Sequence, residues 1–313
     1  MTNSTAGFPG NASIGIAGYG FVGRATAHLF QGQHRVLIHD TRSLEELAKA
    51  YGPGWYCGLQ YVDTLKELAK ESDYLFVCVP TPMKPDGSCD VSIVERVVAE
   101  VLGSETVVVL RSTVPPGTTD RLRGEDGALV YCPEFITEKN WKHDAEYPDR
   151  ILVGGREPWC TCVGMLFQRA HAMVASTKRA ANPFAHASIP YLLMLESGEA
   201  ELAKLASNAF LAAKVAFFNE VACLAGRLGL EYEKVREAIT CDQRIGASHS
   251  MVPGHDGDRG FGGSCLPKDT SDLLDVMRRH GTPSAVVRGA LSTNLAVRRN
   301  RDWMQMKGRA VTE

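Results

Sequence analysis

The chain has 313 residues, 44% hydrophobic and 22% charged, with a formal net charge of −2. This is ordinary globular composition, long enough for one large domain or two smaller ones with their own cores. The near-neutral charge and the lack of any lysine- or arginine-rich run argue against nucleic acid or an anionic membrane surface as partner. No apolar run is expected to approach the ~18 residues that span a bilayer. Residues 1–12 lack the basic-then-apolar pattern of a secretory leader and are expected to be loose. Nine cysteines at irregular spacing read as free thiols in a reducing, cytoplasmic compartment. Cys160 and Cys162 are too close together for a zinc knuckle and have no companion pair, so no metal is expected.

In chain order, the apolar run 13–17 leads into Gly18-Tyr19-Gly20-Phe21-Val22-Gly23. Residues 24–31 then read as a helix, and a second apolar run, 35–39, ends at Asp40. A G-x-G-x-x-G set between a strand and a helix, with an acid closing the next strand, is a dinucleotide-binding pattern. Gly18 is expected to make the turn, Gly20 to admit a pyrophosphate to the backbone, and Gly23 to let the helix pack closely. The helix N-terminus takes the negative charge. Asp40 suits the ribose hydroxyls and repels a 2′-phosphate, which favours NAD; Arg42 nearby leaves NADP open.

Strands are expected at 74–79, 106–110, 129–131 and 151–154, as in a doubly wound sheet covered on both faces. Their ends place Thr81, Thr113 and Glu138 towards one edge, where ligands bind in such sheets. The pattern loosens over 174–195, and the domain boundary is set there: 1–195 a nucleotide-binding domain, 196–313 a helical one. A long helix over 198–228 carries apolar positions at helical spacing, with Lys204 and Asn208 one turn apart on one face. A short helix follows at 233–240, and a last long one at 284–306 ends in a basic tail (Arg298, Arg299, Arg301, Lys307, Arg309) that reads as a solvated helix end.

The densest chemistry lies in Gly260-Phe261-Gly262-Gly263-Ser264-Cys265-Leu266-Pro267-Lys268-Asp269. Pro267 is expected to stop a helix from running back through Cys265, so the helix is placed at 270–277 with Asp269 as its N-cap. Cys265 then sits just ahead of a helix N-terminus and three residues from Lys268, both of which favour thiolate.

Together these motifs resemble the UDP-glucose/GDP-mannose dehydrogenase family. The matching pieces are GYGFVG at 18–23, VPTP at 79–82, STVPPGT at 112–118, PEFITE at 133–138 and YPDRILVGG at 147–155. They continue with the segment 199–220, DQRIG at 242–246 and GFGGSCLPKD at 260–269. The resemblance implies a Rossmann-type domain followed by an all-α dimerisation domain, and NAD-dependent four-electron oxidation of a primary alcohol to a carboxylate without metal. It implies Cys265 as nucleophile, passing through a thiohemiacetal and a thioester, with Lys204 and Asn208 holding the oxyanion. Asp269, Thr113 and Glu138 would serve water and proton transfer. The implied cofactor contacts are Gly18, Gly20, Phe21, Val22, Gly23, Asp40, Thr81, Thr113 and Lys268. Glu134, Arg244 and Gly262 are implied at the substrate, with Arg244 reaching that of a neighbouring subunit.

The chain departs from the family pattern in ending at Glu313, about where a third, nucleotide-binding domain is expected. It also carries Thr137 in PEFITE and a charge-rich loop (His255, Asp256, Asp258, Arg259). The expected substrate is a nucleotide sugar or a related smaller alcohol, and the expected assembly is a homodimer through the helix at 198–228. The competing readings are a two-electron hydroxyacid-type dehydrogenase, which Cys265 argues against, and a non-catalytic NAD-binding subunit completed by a partner chain.

Overall fold

A computed structural model describes residues 11–52, 54–125, 127–181 and 189–312. The chain alternates strand and helix through its first half: β1 (Ser13–Ala17), α1 (Phe21–Phe30), β2 (Arg35–His39), α2 (Leu44–Tyr51), β3 (Leu59–Tyr61) and α3 (Leu65–Lys70). It continues with β4 (Tyr74–Val77), α4 (Ser92–Val101), β5 (Val107–Leu110), α5 (Thr118–Arg123), β6 (Leu129–Tyr131), α6 (Trp141–Glu146), β7 (Arg150–Gly154), α7 (Trp159–Ala181) and β8 (Tyr191–Leu195). Four helices follow, α8 (Ser197–Arg227), α9 (Tyr232–Thr240), α10 (Cys265–Arg279) and α11 (Ala285–Val297), then a 3-10 turn at Asp302–Gln305. The expected fold class, a doubly wound sheet followed by a helical region, is the one observed.

The strands form one sheet in the order β3-β2-β1-β4-β5-β6-β7-β8, in which only the β6–β7 pair is antiparallel. The central strands β4 and β5 are buried at every position, which is why they read as unbroken apolar runs. Phe30, Phe76 and Phe167 meet pairwise at 5.4 to 5.9 Å between ring centres in the core.

By its contacts the chain divides into two units. The first comprises 1–79, 92–112 and 116–201; the second comprises 80–91, 113–115 and 202–313. The division therefore falls inside α8, six residues past the expected boundary, and two short loops from the first half group with the second unit. Within the stretch expected to be loose, α7 runs on to Ala181 and β8 adds an edge strand; its core-facing residues Cys160, Val163, Leu166, Phe167 and Ala170 keep helical spacing. Residues 182–188 lie outside the description.

Three expectations are corrected. The helix placed at 270–277 begins five residues earlier: Ser264 is the N-cap and Cys265 the first residue of α10. Pro267 is then the third residue of the helix, where its missing N–H is one that no helical carbonyl would have met. The helix placed at 284–306 stops at Val297, because Arg298 turns extended and its guanidinium is drawn inward by carboxylates. Arg298 is thus buried, not a solvated end. Finally, α8 contains an 18-residue window of mean hydropathy 1.5, long and apolar enough by composition to span a bilayer, of which 39% is buried.

Candidate active site

In the first unit the G-x-G-x-x-G turn is shaped by contacts of its own backbone. Gly18 takes φ +91°, and a Cβ at Gly23 would lie 2.1 Å from the Gly18 carbonyl, so only glycine lets α1 start so close to β1. Gly20 is the N-cap of α1, and a Cβ there would meet nothing within 4 Å. Phe21 and Val22 form the first turn. A helix's first N–H groups have no acceptor within the helix, and an open approach to them fits a dinucleotide pyrophosphate.

Asp40 is buried behind this turn. Its Oδ2 accepts the Tyr19 N–H at 2.6 Å and Arg42 Nη2 at 3.0 Å, and its Oδ1 accepts Arg42 N and Nε, both at 2.9 Å. Burial works to raise its pKa, but the Arg42 and Tyr19 donors outweigh burial and hold the carboxyl below its ordinary value. Arg42, which the sequence places merely nearby, is therefore forked onto the acid expected at the ribose. Glu201, not foreseen as functional, is fully buried and holds the STVPPGT turn by accepting the Gly117 N–H at 2.6 Å and the Thr119 N–H at 2.8 Å. Glu134 is buried, with Oε2 accepting the Ile136 N–H at 2.7 Å, whereas Glu138, on the same segment, is exposed.

In the second unit one chain of contacts links five of the expected residues. Lys204 and Asn208, buried on α8, lie one turn apart. Asn208 Nδ2 donates to Asp269 Oδ2 at 2.6 Å, and Lys268 Nζ donates to Asp269 Oδ1 at 2.5 Å. Lys268 Nζ also reaches Thr81 Oγ1 at 3.4 Å, and Thr81 Oγ1 donates to the Thr113 carbonyl at 2.8 Å. Cys265, half-buried at the head of α10, lies 3.7 Å from Ser264 Oγ. Burial disfavours the Lys268 charge, yet Asp269 first, then Cys89 and Cys265, hold the ammonium above the ordinary lysine value. Gly262 is packed by protein, with the Arg298 Nη2 2.1 Å from where its Cβ would be. Arg244 is exposed, and its guanidinium pairs with Asp242 at 2.6 Å.

Asp272, one turn beyond Lys268 on α10, did not stand out in the sequence. Its side chain is buried, Oδ1 accepts the Cys89 N–H at 3.1 Å, and Oδ2 has no hydrogen-bond partner. Burial pushes its pKa up to about 7, against the Cys89 N–H and Lys268, which pull it down. The available signal was an acid at i+4 from a lysine on the buried face of an amphipathic helix.

Comparison with known proteins places these residues in context. Residues 12–171 match the model of the UDP-glucose/GDP-mannose dehydrogenase family NAD binding domain, and residues 198–296 match that of the family's central domain. The UDP-glucose 6-dehydrogenase of Pseudomonas aeruginosa is 32% identical over 89% of this chain and 64% of its own length. That of Rhizobium meliloti is 34% identical over 75% of this chain and 53% of its own length. The chain thus spans less than two thirds of each of these relatives. A UDP-glucose dehydrogenase structure from the archaeon Pyrobaculum islandicum superposes with a TM-score of 0.73 at 32% identity, covering 95% of this chain and 70% of that one.

Proposed function

The chain belongs to the UDP-glucose/GDP-mannose dehydrogenase family, and we propose that it oxidises the primary alcohol of a nucleotide sugar to a carboxylate with NAD, through a covalent intermediate on Cys265. One observation carries this reading above the rest. The Asn208–Asp269–Lys268 contact brings the polar pair of α8 to the helix whose first residue is the thiol.

NAD, held at Gly18, Gly20, Phe21, Val22, Gly23 and Asp40, would supply the hydride acceptor for each oxidation. Cys265 Sγ adds to the carbon of the aldehyde, forming a C–S bond while the carbonyl oxygen takes a proton. That thiohemiacetal keeps the aldehyde from escaping. Lys204 and Asn208 stabilise the negative oxygen as it develops, worth on the order of 10²–10³ in rate for a single donor. Once the carbon is at the thioester level, water adds to it, the C–S bond breaks and Cys265 leaves as thiolate. Asp269 takes the proton of that water, with Thr113 assisting, and Lys268 donates to the same carboxylate at 2.5 Å. The Gly262 backbone and Arg244 serve the substrate. Arg244 acts from a second subunit in a homodimer joined through α8, whose Leu202, Phe210, Phe217 and Leu224 are exposed. A reducing, cytoplasmic setting keeps the thiol available.

The test is the number of NADH formed per UDP-glucose consumed, with the acid product quantified. Two NADH per acid are expected, and Cys265→Ala is expected to lower acid formation by about 10³ or more. Turnover retained in that variant, with one NADH per substrate, would replace this reading with a two-electron dehydrogenase.

A further inference from the structure

Side chains from three separate elements converge on the backbone just ahead of Cys265. Asn219 of α8 accepts the Gly260 N–H with Oδ1 at 3.1 Å. Asn294 of α11 brackets Phe261, its Oδ1 accepting the N–H at 2.7 Å and its Nδ2 donating to the carbonyl at 2.9 Å. Asp302, in the closing 3-10 turn, accepts the Gly263 N–H with Oδ2 at 2.9 Å. Gly263 is two residues from the thiol.

Arg298 ties this arrangement together. Its side chain is 2% exposed. Nη2 lies between two carboxylates, 2.7 Å from Asp256 Oδ2 and 3.0 Å from Asp302 Oδ1. Nε donates to the Asn300 carbonyl at 2.7 Å and Nη1 to that of Arg259 at 3.3 Å. The guanidinium fills the volume that any side chain at Gly262 would need. Asp258, from the same loop as Asp256, accepts the N–H groups of Arg299 and Asn300 at 3.1 and 2.7 Å. A buried arginine is costly unless its donors are met, and breaking one partner of such a cluster leaves an uncompensated charge. None of these groups has a part in the chemistry described above, yet they meet the loop that delivers the nucleophile.

We propose that the Asp256–Arg298–Asp302 cluster is a positioning device for Cys265, fixing the Gly262–Gly263 backbone so that the thiol starts α10 in one place. This deepens the reading of Cys265 as nucleophile and rests on it. Asp302 is the informative position, because one oxygen holds the Gly263 N–H and the other holds Arg298. A carboxylate that only stabilised the fold would affect melting and leave the thiol's behaviour alone. One that places the thiol shows in steps after substrate binding, where misplacement by about 1 Å can cost about 10².

The experiment uses the full chain with Asp302→Ala and Asp302→Asn, and follows two readouts beside the melting temperature. The first is kcat and KM with NAD and UDP-glucose. The second is the pH profile of Cys265 alkylation by iodoacetamide, followed on the peptide that carries it, which needs no turnover. Expected for Asp302→Ala are a kcat roughly 10- to 100-fold lower at a KM within about twofold of wild type, and a displaced alkylation profile. Asp302→Asn keeps an acceptor for the Gly263 N–H and is expected to recover part of both. Unchanged kcat and alkylation in the folded variants would overturn the proposal. So would a lowered melting temperature with a wild-type alkylation profile. Should Asp302→Ala not fold, Asp302→Asn decides by the same two readouts. Failure of the underlying reading looks different: Asp302→Ala would then still displace the Cys265 alkylation profile, while Cys265→Ala would still make acid.

Discussion

The molecule holds two glycine-rich turns that precede helices, and they use glycine for opposite purposes. In the first, Gly18 to Gly23, shape comes from backbone packed on backbone, and the space over Gly20 is empty of protein. In the second, Gly260 to Gly263, missing side chains make room for other side chains: Asn294 would collide with a Cβ at Gly260, and Arg298 with one at Gly262. One turn leaves a place for a ligand, and the other is filled by its own protein. The difference teaches that a glycine motif is read by what fills the vacated volume, which spacing alone does not give. It also makes the second turn dependent on buried side chains that reach it from α11 and the closing 3-10 turn.

The largest effect is expected at Asp272, a buried carboxyl on α10, the helix that follows the second turn. An unfolded aspartate has a pKa near 3.8 and the folded one is raised to about 7. The neutral form therefore stabilises the fold fully below pH 3.8, and this contribution is lost as pH rises through about 7. The loss has a ceiling of about 4 kcal/mol, at 1.36 kcal/mol per pH unit. Asp272→Asn should melt higher than wild type at pH 8, with the gap closing towards pH 4. Parallel melting curves for the two proteins across that range would show that Asp272 does not titrate there.

Next is the direct contrast between the turns. Gly262→Ala should cost about 1–3 kcal/mol in urea unfolding, since the added carbon displaces a buried guanidinium. Gly20→Ala should cost less than about 1 kcal/mol but weaken NAD binding by about tenfold or more in calorimetry. Equal losses of stability from the two would erase the distinction. Smallest of all is Arg244→Ala. Its side chain is 89% exposed, so melting should not change. KM for UDP-glucose should rise if the residue serves the neighbouring subunit, and a KM equal to wild type would remove it from the substrate site.

Sequence by itself carried the fold class and the family resemblance. The signals behind them are local: unbroken apolar runs for strands buried on both faces, glycines at set spacing, and a thiol beside PKD. Legibility failed where local signals were weak or overridden. Strand β3 is three residues long, and α2 and α3 are single short helices closed by caps at Ser43 and Thr64. Pro267 reads as a helix stop, yet in a first turn it displaces no hydrogen bond.

The candidate site divides the same way. Residue types and order marked Cys265, Lys268, Asp269, Lys204 and Asn208. Only tertiary structure joined Asn208 to Asp269 across 61 residues, forked Arg42 onto Asp40, and left Asp272 buried with one oxygen unmet. It alone turned one arginine of the basic tail inward and made Arg298 the centre of a buried cluster. Asn219, Asn294 and Asp302 reach the second glycine turn from 41, 33 and 39 residues away. Each looks in sequence like a solvated polar residue. A polar side chain's partner is set by which elements pack together, and no periodicity along the chain encodes that choice.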